Sequence, residues 1–343
     1  MKLITFTIPS YNSQDYMRKC IDPLLSGGED VEVIIVNDGS KDDTGKIAEE
    51  YASKYPSIVK AIQQENGGHG SGVNAGLLHA TGLYFKVVDS DDWVDEKSLK
   101  TFLTTLKAHI AANLDIDLYI TNYVYEHVAD HTRYVMRYRK YVPSNRPIGW
   151  KDIKRFPPHT FMLMHSLMYK TEKLRQSGML LPKHTFYVDN IYAYQPLPYM
   201  SKLFYLDLNF YHYFIGRADQ SVNIQNFVKR YDQQTRVMHL MAGAYRYDQL
   251  MKMEKGLRRY MFHYLGIIML NTMLFIVGGD DETTKRKQAY KDMWHHIKDS
   301  DRRLYLKLLY RSYPAFAAHT PYPIRRLTML NGYKIAAKAI KLG

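Results

Sequence analysis

The chain places three acidic residues directly after an apolar segment. Asp89, Asp91 and Asp92 follow the run Phe85–Val88 within four positions. Carboxylates at the end of a strand repel one another unless a cation or strong hydrogen-bond donors lie between them. Oxygen ligands of this kind suit hard cations such as Mg²⁺ and Mn²⁺. The alternative is an acidic turn that caps the next helix, because Asp favours helix N-caps.

Two shorter polar segments also follow apolar runs. Residues 9–12 read Pro-Ser-Tyr-Asn, and residues 37–40 read Asn-Asp-Gly-Ser. Pro9 ends the first run sharply, and Tyr11 offers a flat ring for stacking on a base or for ordinary packing. Asp38 could accept hydrogen bonds from a base edge, although the segment around it is also a plain turn sequence.

A glycine-rich segment, residues 66–72, leads into a predicted helix. Glycines let the backbone approach a phosphate, and a helix start offers free N–H groups. The segment is not a Walker loop, because the Gly-Lys-Ser/Thr ending is missing. It is not a dinucleotide fingerprint either, because it does not follow the first strand. A flexible loop is the alternative.

The first 125 residues alternate strands with helices. Such alternation predicts βαβ units and a parallel sheet, and ligands bind at the carboxyl ends of its strands. The polar segments should therefore meet at one edge of the sheet. The predicted strands are 3–8, 31–36, 59–63, 83–88 and 116–123, and the predicted helices are 15–25, 43–55, 71–80 and 95–109.

The rest of the chain is less regular and then becomes helical. Its length of 343 residues favours two domains, or one domain with a large extension. We place a catalytic domain at 1–220 and a helical, basic region at 221–343. Within these, the sequence predicts strands at 162–169 and 208–215, a short helix at 171–177, and helices at 227–253, 255–277 and 282–298.

Composition and hydropathy predict a cytoplasmic protein. Cys20 is the only cysteine, which excludes an intramolecular disulfide and a cysteine-based zinc site. The first apolar run ends at Pro9 and is too short for a signal peptide. The longest one, residues 265–277, falls short of the roughly 20 residues that a membrane span needs. A buried helix is the better interpretation.

The C-terminal segment is strongly basic. The formal net charge is +13, and no acidic residue follows Asp301. Such a segment favours peripheral contact with an anionic membrane or polymer over a solvated face or a nucleic-acid site. Its cations, interleaved with apolar residues, are Arg302, Arg303, Lys307, Arg311, Arg325, Arg326, Lys334, Lys338 and Lys341.

Taken together, the order and spacing of these segments resemble the inverting glycosyltransferases of family 2, which have the GT-A fold. The resemblance covers roughly residues 1–220 and is specific over the first 95. It implies a Rossmann-like, mostly parallel sheet followed here by a helical region. The positions that carry it are Ile8–Asn12, Val36–Ser40, Asn66 with Gly67, Asn74–Gly76 and Val88–Asp92.

The resemblance also implies a set of site residues. Asp91, with Asp89, would hold Mn²⁺ or Mg²⁺ between the two phosphates of a UDP-sugar. Pro9, Tyr11 and Asp38 would face the uracil, and Asp89 would reach the ribose or sugar side. Further implied nucleotide-sugar contacts are Asn12, Asn66, Gly67, Asn74 and Ser90, with His212 or Arg217 as diphosphate contacts.

Two departures from the family pattern bear on the chemistry. Family members carry an acidic pair late in the domain, and its second member is the general base. Here Asp189 matches that base, but Val188 stands where Glu is usual. Val73 stands where Arg often precedes the position of Asn74. An Asp that caps the following helix is the alternative role for Asp189.

The implied reaction transfers a sugar with inversion to a hydroxyl of a cell-surface glycan or a lipid-linked precursor. A divalent cation stabilises the leaving diphosphate, and Asp189 takes the proton of the acceptor. The main alternative is a non-catalytic scaffold that keeps the fold and docks through its basic tail. A nucleotidyltransferase is disfavoured, because this chain lacks the glycine-rich loop with Lys or Arg that such enzymes usually carry after the first strand.

Overall fold

A computed structural model of the chain describes residues 1–127, 131–216, 224–279 and 283–339. It divides into two compact units. The first contains residues 1–154 and 162–216, and the second contains residues 155–161 together with the chain from 217 onward.

The first unit is built on a ten-stranded sheet. Its central strands are buried because their sequences are almost continuously apolar; every residue of Val31–Asp38 is buried. The strands are β1 (Ile4–Ser10), β2 (Val31–Asp38), β3 (Val59–Gln64), β4 (Tyr84–Val87), β5 (Trp93–Val94), β6 (Leu118–His127), β7 (Thr132–Met136), β8 (Pro147–Ile148), β9 (Leu167–Lys170) and β10 (Leu203–Ile215).

The main path of the sheet runs β3-β2-β1-β4-β9-β6-β10-β5. Strands β1 to β4 pair in parallel, and so do β6 and β10. Strand β9 lies antiparallel to both of its neighbours, and β5 lies antiparallel to β10. The parallel half places the ends of β1, β2 and β4 at one edge, as the alternation of strands and helices predicts.

The described residues of this unit form six α-helices. They are α1 (Met17–Leu25), α2 (Thr44–Lys54), α3 (His69–His79), α4 (Glu96–Ala111), α5 (Thr171–Gln176) and α6 (Asp189–Tyr194). Short 3₁₀ turns occur at Gly28–Asp30, Trp150–Asp152, Met164–Ser166 and Leu197–Tyr199. Asp95 caps α4 by accepting a hydrogen bond from the backbone N–H of Ser98.

Two predicted strands differ from the observed ones. The strand predicted at 162–169 begins only at Leu167, because residues 164–166 form a 3₁₀ turn. The strand predicted at 208–215 begins earlier, at Leu203, and its pairing with β6 shifts register between Tyr205 and Tyr211. A bulge of this kind re-aims the side chains that follow it.

A buried carboxylate ties β1, β2 and β3 together. Glu32 is 2% exposed and accepts hydrogen bonds from Thr5 Oγ1 at 2.6 Å, Lys60 Nζ at 2.6 Å, and the N–H and hydroxyl of Thr81 at 2.7 and 2.9 Å. Burial alone would raise the pKa of Glu32, but the hydrogen bonds from Lys60, Thr5 and Thr81 outweigh it and lower that pKa. The ionised carboxylate is therefore part of the folded state.

Replacement of Glu32 by Ala should lower the free energy of unfolding by about 1–3 kcal/mol, because it leaves the buried hydroxyl of Thr5 without its acceptor, whereas the exposed Lys60 and Thr81 can bond to water. Urea unfolding at neutral pH measures this. Since the folded pKa lies below the unfolded one, the contribution of Glu32 is present above the unfolded pKa and is lost as the pH falls through the folded one. An unfolding free energy equal to that of wild type would contradict this role.

The second unit is helical. Its helices are α7 (Ile224–Lys229), α8 (Tyr231–Ala244), α9 (Tyr247–Lys252), α10 (Lys255–Gly278), α11 (Thr283–Ser300), α12 (Arg302–Tyr310), α13 (Pro314–His319) and α14 (Tyr322–Ala339). The short segment 155–161 joins this unit through His263 of α10, whose imidazole contacts the Thr160 carbonyl oxygen at 2.8 Å and the Tyr313 hydroxyl at 2.9 Å.

Helix α10 is the longest apolar helix of the described chain. It has the length and composition of a membrane span, but 72% of its most apolar stretch is buried inside the protein. Residues such as Met261, Leu265 and Met273 are fully covered. This burial is what a core helix of a folded domain shows, in keeping with the sequence-based interpretation.

Candidate active site

The acidic loop after β4 is held by a tyrosine from β10. The hydroxyl of Tyr211 donates to Asp92 Oδ2 at 2.5 Å and accepts from the backbone N–H of Asp89 at 3.1 Å. The N–H of Phe214 donates to Asp92 Oδ1 at 2.8 Å, and Asp92 is fully buried. Asp92 therefore points inward and fixes the loop, whereas residues 89–91 are half-buried.

This inward carboxyl is better suited to hydrogen bonding than to charge. Burial, followed by the charges of Asp91 and Asp89, raises the pKa of Asp92 well above its usual range. Burial and the neighbouring Asp92 likewise raise the pKa of Tyr211. No local sequence signal predicts the contact of Tyr211 with Asp92, because the two residues lie 119 positions apart.

A buried lysine lies beneath the loop. Lys86 is fully buried, donates from Nζ to the carbonyl oxygen of His165 at 2.6 Å, and lies 5.0 Å from the centre of the Tyr211 ring. The His165 imidazole stacks on the same ring, with centroids 4.7 Å apart. Burial lowers the pKa of Lys86 to about 7 and that of His165 to about 4. The only sequence signal for this layer is a lysine within an apolar run.

The acidic loop and the nearby His165 offer donor types that suit a divalent cation. Asp89, Asp92 and His165 bring potential ligand atoms within 4.8 Å of one another. Two carboxylates and an imidazole are donors that Mn²⁺ accepts. Asp91, a ligand in the sequence-based hypothesis, lies outside this group, and both oxygens of Asp92 already accept hydrogen bonds. Asp89 is thus the member shared by the predicted and the observed sets.

A histidine from the glycine-rich segment reaches the same carboxylate. His69 begins α3, and its Nε2 lies 2.7 Å from Asp89 Oδ1. Burial opposes a charged imidazole, but Asp89, with Asp189 and Asp91, raises the pKa of His69. The pKa of Asp89 is lowered, because His69 outweighs the effect of burial. The pair places an imidazole beside the acidic loop, a contact that no local sequence signal predicts.

Asp189 lies close enough to this pair to be affected by its charges. It is the first residue of α6 and is half-buried. Burial raises the pKa of Asp189 to about 6, with the His69 charge lowering it and the Asp89 charge raising it. The amide of Asn190 lies 3.3 Å from Asp189 Oδ1. A carboxylate with such a pKa can accept a proton near neutral pH.

The segment before Asp189 is fastened to the glycine-rich loop. The N–H of His184 donates to the Gly67 carbonyl oxygen at 2.7 Å. Gly68 has φ +82°, and a Cβ there would meet the backbone of His184 at 3.0 Å. The amide of Asn74 binds both the carbonyl oxygen and the N–H of Leu181, at 2.8 and 3.1 Å. Contacts 107 residues apart in sequence thereby bring Asp189 to the sheet edge.

Asp38 also braces the glycine-rich loop. Its carboxylate accepts hydrogen bonds from the N–H groups of Gly67 and Gly68 at 2.9 and 2.7 Å and from Gln64 Nε2 at 2.6 Å. The side chain of Asn66 donates to the Asp38 carbonyl oxygen at 2.9 Å. The contact of Asp38 with a base stays a prediction, and any such contact must share these oxygens.

The other predicted nucleotide contacts lie at the ends of β1 and β4. Pro9 is buried in β1, whereas Tyr11 is 49% exposed. Asn12, also exposed, accepts through Oδ1 from the N–H of Lys41 at 2.9 Å. The hydroxyl of Ser90 lies 2.7 Å from that of Ser13.

The two proposed diphosphate contacts differ in status. His212 Nδ1 lies 2.7 Å from Glu126 Oε1, and the imidazole stacks on the Trp93 ring with centroids 5.5 Å apart. It is therefore engaged within the sheet. Arg217 lies outside the residues that the structure describes.

Comparisons with known proteins match this architecture. Residues 5–172 match the family model "Glycosyl transferase family 2". The glycosyltransferase GlyA of Streptococcus pneumoniae is 38% identical over 99 residues, which cover 29% of this chain and 14% of GlyA. Residues 5–172 therefore form a family 2 glycosyltransferase domain.

Solved structures confirm the GT-A fold. S. aureus TarS residues 1–349, in complex with UDP-GlcNAc, superposes with a TM-score of 0.64 at 18% identity and covers 97% of this chain and 92% of that one. A mannosyltransferase from Pyrobaculum calidifontis, in complex with GDP-Man and Mn²⁺, gives 0.53 at 14% identity, covering 98% and 86%. The alignments with the first curated relatives span about a third of their length or less.

The two departures from the family 2 pattern are both buried here. Val73 is fully buried and Val188 is 2% exposed, so neither position offers room for a solvated charge. His69 precedes Val73 by four residues on α3, which places both on one face of the helix. An imidazole whose pKa is raised by its acidic neighbours thus lies one turn before the position where Arg is common.

Replacement of Tyr211 by Phe should weaken binding of UDP in the presence of Mn²⁺ about tenfold. The change removes one hydroxyl that bonds both Asp89 and Asp92, so the acidic loop loses its anchor. Isothermal calorimetry measures the affinity. Tyr169→Phe is the matched control, because it removes another buried hydroxyl, which bonds the carbonyl oxygen of Tyr192. Equal affinity in wild type and Tyr211→Phe would contradict the anchoring role.

Proposed function

We propose that the protein is an inverting glycosyltransferase that moves a sugar from a UDP-sugar to an acceptor hydroxyl. The observation that carries the proposal is the convergence of Asp189 with Asp89 and His69, together with the raised pKa of Asp189. A half-buried carboxyl of pKa about 6 beside an acidic loop is suited to taking a proton from an incoming hydroxyl.

The donor binds along the edge formed by the ends of β1, β2 and β4. The exposed ring of Tyr11 is available for stacking on uracil, and Pro9 and Asp38 flank the same edge. The glycine-rich loop braced by Asp38 passes close to this edge. A UDP-sugar is the donor class we favour, supported by the UDP-GlcNAc complex of TarS.

Asp89 and Asp91 are the proposed ligands of a divalent cation, Mn²⁺ or Mg²⁺. When bound, such a cation would offset the negative charge that develops on the leaving diphosphate. Asp92 has a different task, because its oxygens are engaged by Tyr211 and the backbone of Phe214. His69 orients Asp89 and adds positive charge beside it.

The transfer step needs one base. The acceptor oxygen attacks the anomeric carbon, Asp189 accepts the hydroxyl proton, and the bond from that carbon to the phosphate oxygen breaks. UDP leaves with the bonding electron pair. Displacement in a single step inverts the configuration, and no covalent intermediate on the protein is required. Asp189 must therefore be ionised in the reactive complex.

A cell-surface glycan or a lipid-linked precursor is the acceptor class we favour. Family membership supports an acceptor hydroxyl, and the basic C-terminal segment supports a reaction near an anionic surface. The single cysteine fits a reducing compartment, so we place the reaction in the cytoplasm, with peripheral contact at the inner face of the membrane.

A screen of UDP release across UDP-sugars, with and without Mn²⁺, tests the proposed function. We expect Mn²⁺-dependent release from one donor or a few related ones, because one hydroxyl or acetamide group decides the fit. Release of pyrophosphate would indicate a nucleotidyltransferase. Absence of both turnover and Mn²⁺-dependent UDP binding would favour a non-catalytic scaffold.

A further inference from the structure

The last helices of the second unit expose apolar side chains. Within α12 to α14, Tyr310 is 60% exposed, Phe316 72%, Ile324 52% and Leu327 62%. One exposed apolar side chain is ordinary in a soluble protein, but a concentration of them marks an interaction surface. All four lie within 18 consecutive residues, in the segment that carries no acidic residue.

Aromatic contacts connect α12 with α13. The ring of Tyr310, at the end of α12, stacks on His319 with centroids 5.0 Å apart. Phe316 precedes His319 by three residues and so lies on the same face of α13. Tyr310 and Phe316 therefore belong to one exposed area.

Helix α14 also exposes apolar side chains, and hydrogen bonds join it to the end of α13. Ile324, Leu327 and Lys334 are exposed, and their spacing of three and seven residues places them along one face. Arg325 points the other way, is 8% exposed, and donates to the carbonyl oxygens of Ala317 and Thr320 at 2.7 and 2.6 Å. The prediction that Arg325 contributes to a basic surface is therefore wrong; it caps α13.

The structure also describes the surroundings of five other cations of the segment, whereas Lys341 lies outside the described residues. Arg303 pairs with Asp248, and Lys307 lies 5.1 Å from the centre of the Phe262 ring. Arg302, Arg311 and Lys334 are exposed. These three cations and the four exposed apolar side chains lie on or next to α12, α13 and α14, and α13 contacts both of the other helices. We call the seven side chains the C-terminal surface.

We propose that the C-terminal surface docks on an anionic lipid bilayer. Aliphatic and aromatic side chains enter the boundary between headgroups and acyl chains, while flanking cations remain at the phosphate level. Exposed Ile324 and Leu327 favour a bilayer over a nucleic acid, which would be contacted by cations and stacked aromatic rings. This assignment does not depend on the transferase chemistry.

Co-sedimentation of the full chain with vesicles tests the proposal. We compare equimolar phosphatidylglycerol and phosphatidylcholine with phosphatidylcholine alone, at low and high ionic strength. Wild type should sediment with anionic vesicles at low salt and be released at high salt. A triple variant should weaken vesicle binding by about fivefold for each cation removed. Its substitutions are Arg302→Gln, Arg311→Gln and Lys334→Gln. Phe316→Ser with Leu327→Ser should weaken vesicle binding at least tenfold.

Matched controls come from the first unit. Leu78→Ser removes a side chain that is 75% exposed, and Lys97→Gln with Lys100→Gln removes two exposed charges. These variants should sediment like wild type. The proposal is overturned if the wild-type protein does not sediment with anionic vesicles or binds neutral vesicles equally well. It is also overturned if the C-terminal variants bind like the controls. Binding to a single-stranded RNA oligonucleotide but not to vesicles would also overturn it. Circular dichroism verifies that each variant is folded.

Discussion

Replacement of Asp189 by Asn is expected to lower the rate of UDP release by about 10²–10⁴-fold, the usual cost of losing a general base. Asn has nearly the same shape but cannot accept the proton of the acceptor. Donor binding should change little, since the role proposed for Asp189 concerns the incoming hydroxyl. Asp15→Asn, at an exposed carboxylate, is the control and should retain the wild-type rate.

The Asp189→Asn variant should also be more stable than wild type at neutral pH. Burial raises the pKa of Asp189 from 3.8 to about 6, so ionisation of this carboxyl opposes folding. A neutral amide removes that cost. The difference between a pKa of 3.8 and one of about 6 sets an upper bound of about 3 kcal/mol on the gain in unfolding free energy. A helix-capping Asp would instead lose stability on replacement. Denaturant unfolding at about pH 7.5, well above the pKa of about 6, distinguishes a general base from a helix cap.

The pH dependence follows from the same pKa. Below about pH 6 Asp189 is protonated and cannot act as a base, so turnover should rise as the pH increases through that value. His69 and Asp89 face this carboxyl and act on its pKa in opposite directions. Removal of the His69 charge by His69→Gln should move the rising limb of the profile to higher pH. A profile that is flat from pH 5 to 8 in wild type would contradict the assignment.

Replacement of Asp91 by Asn is expected to abolish Mn²⁺-dependent binding of UDP and to lower turnover by about 10²–10³-fold. The proposed cation would lose a charged ligand, and the leaving diphosphate would lose its counter-charge. Electron paramagnetic resonance of free Mn²⁺ in the presence of UDP measures the binding. Asp15→Asn again serves as the control.

A further variant separates two possible arrangements of ligands. If the cation is held by Asp89 and Asp91, His165→Phe should retain Mn²⁺ binding. If the cation is held by the group Asp89, Asp92 and His165, then His165→Phe should lose Mn²⁺ and Asp91→Asn should retain it. The second outcome would contradict the assignment of Asp91.

The edge of the sheet could be predicted from the sequence because its signals are local. Strand β2 is an almost continuous apolar run, and β1 continues through Pro9 to Ser10, where a polar segment begins. Each signal lies within a few residues of the element that it defines. The rule that ligands bind at the carboxyl ends of parallel strands then joins segments far apart in the chain.

The support beneath the acidic loop could not be predicted, because it depends on distant contacts. Whether Asp91 or Asp92 turns inward is decided by Tyr211, which the bulge in β10 aims at the loop. Lys86 is tolerated inside the sheet only because the carbonyl oxygen of His165, 79 residues away, accepts its hydrogen bond. The sequence alone predicts that Arg325 is a surface cation, because its hydrogen bond to the Ala317 carbonyl oxygen depends on how α13 and α14 pack.

The stereochemistry of sugar release tests the central claim most directly. With an α-linked UDP-sugar and no acceptor, water takes the place of the acceptor hydroxyl, and proton NMR identifies the anomer formed before mutarotation. A single displacement assisted by Asp189 predicts the β-sugar as the first product, at a rate that falls sharply in Asp189→Asn. The α-sugar as first product, or an unchanged rate in the variant, would contradict the account.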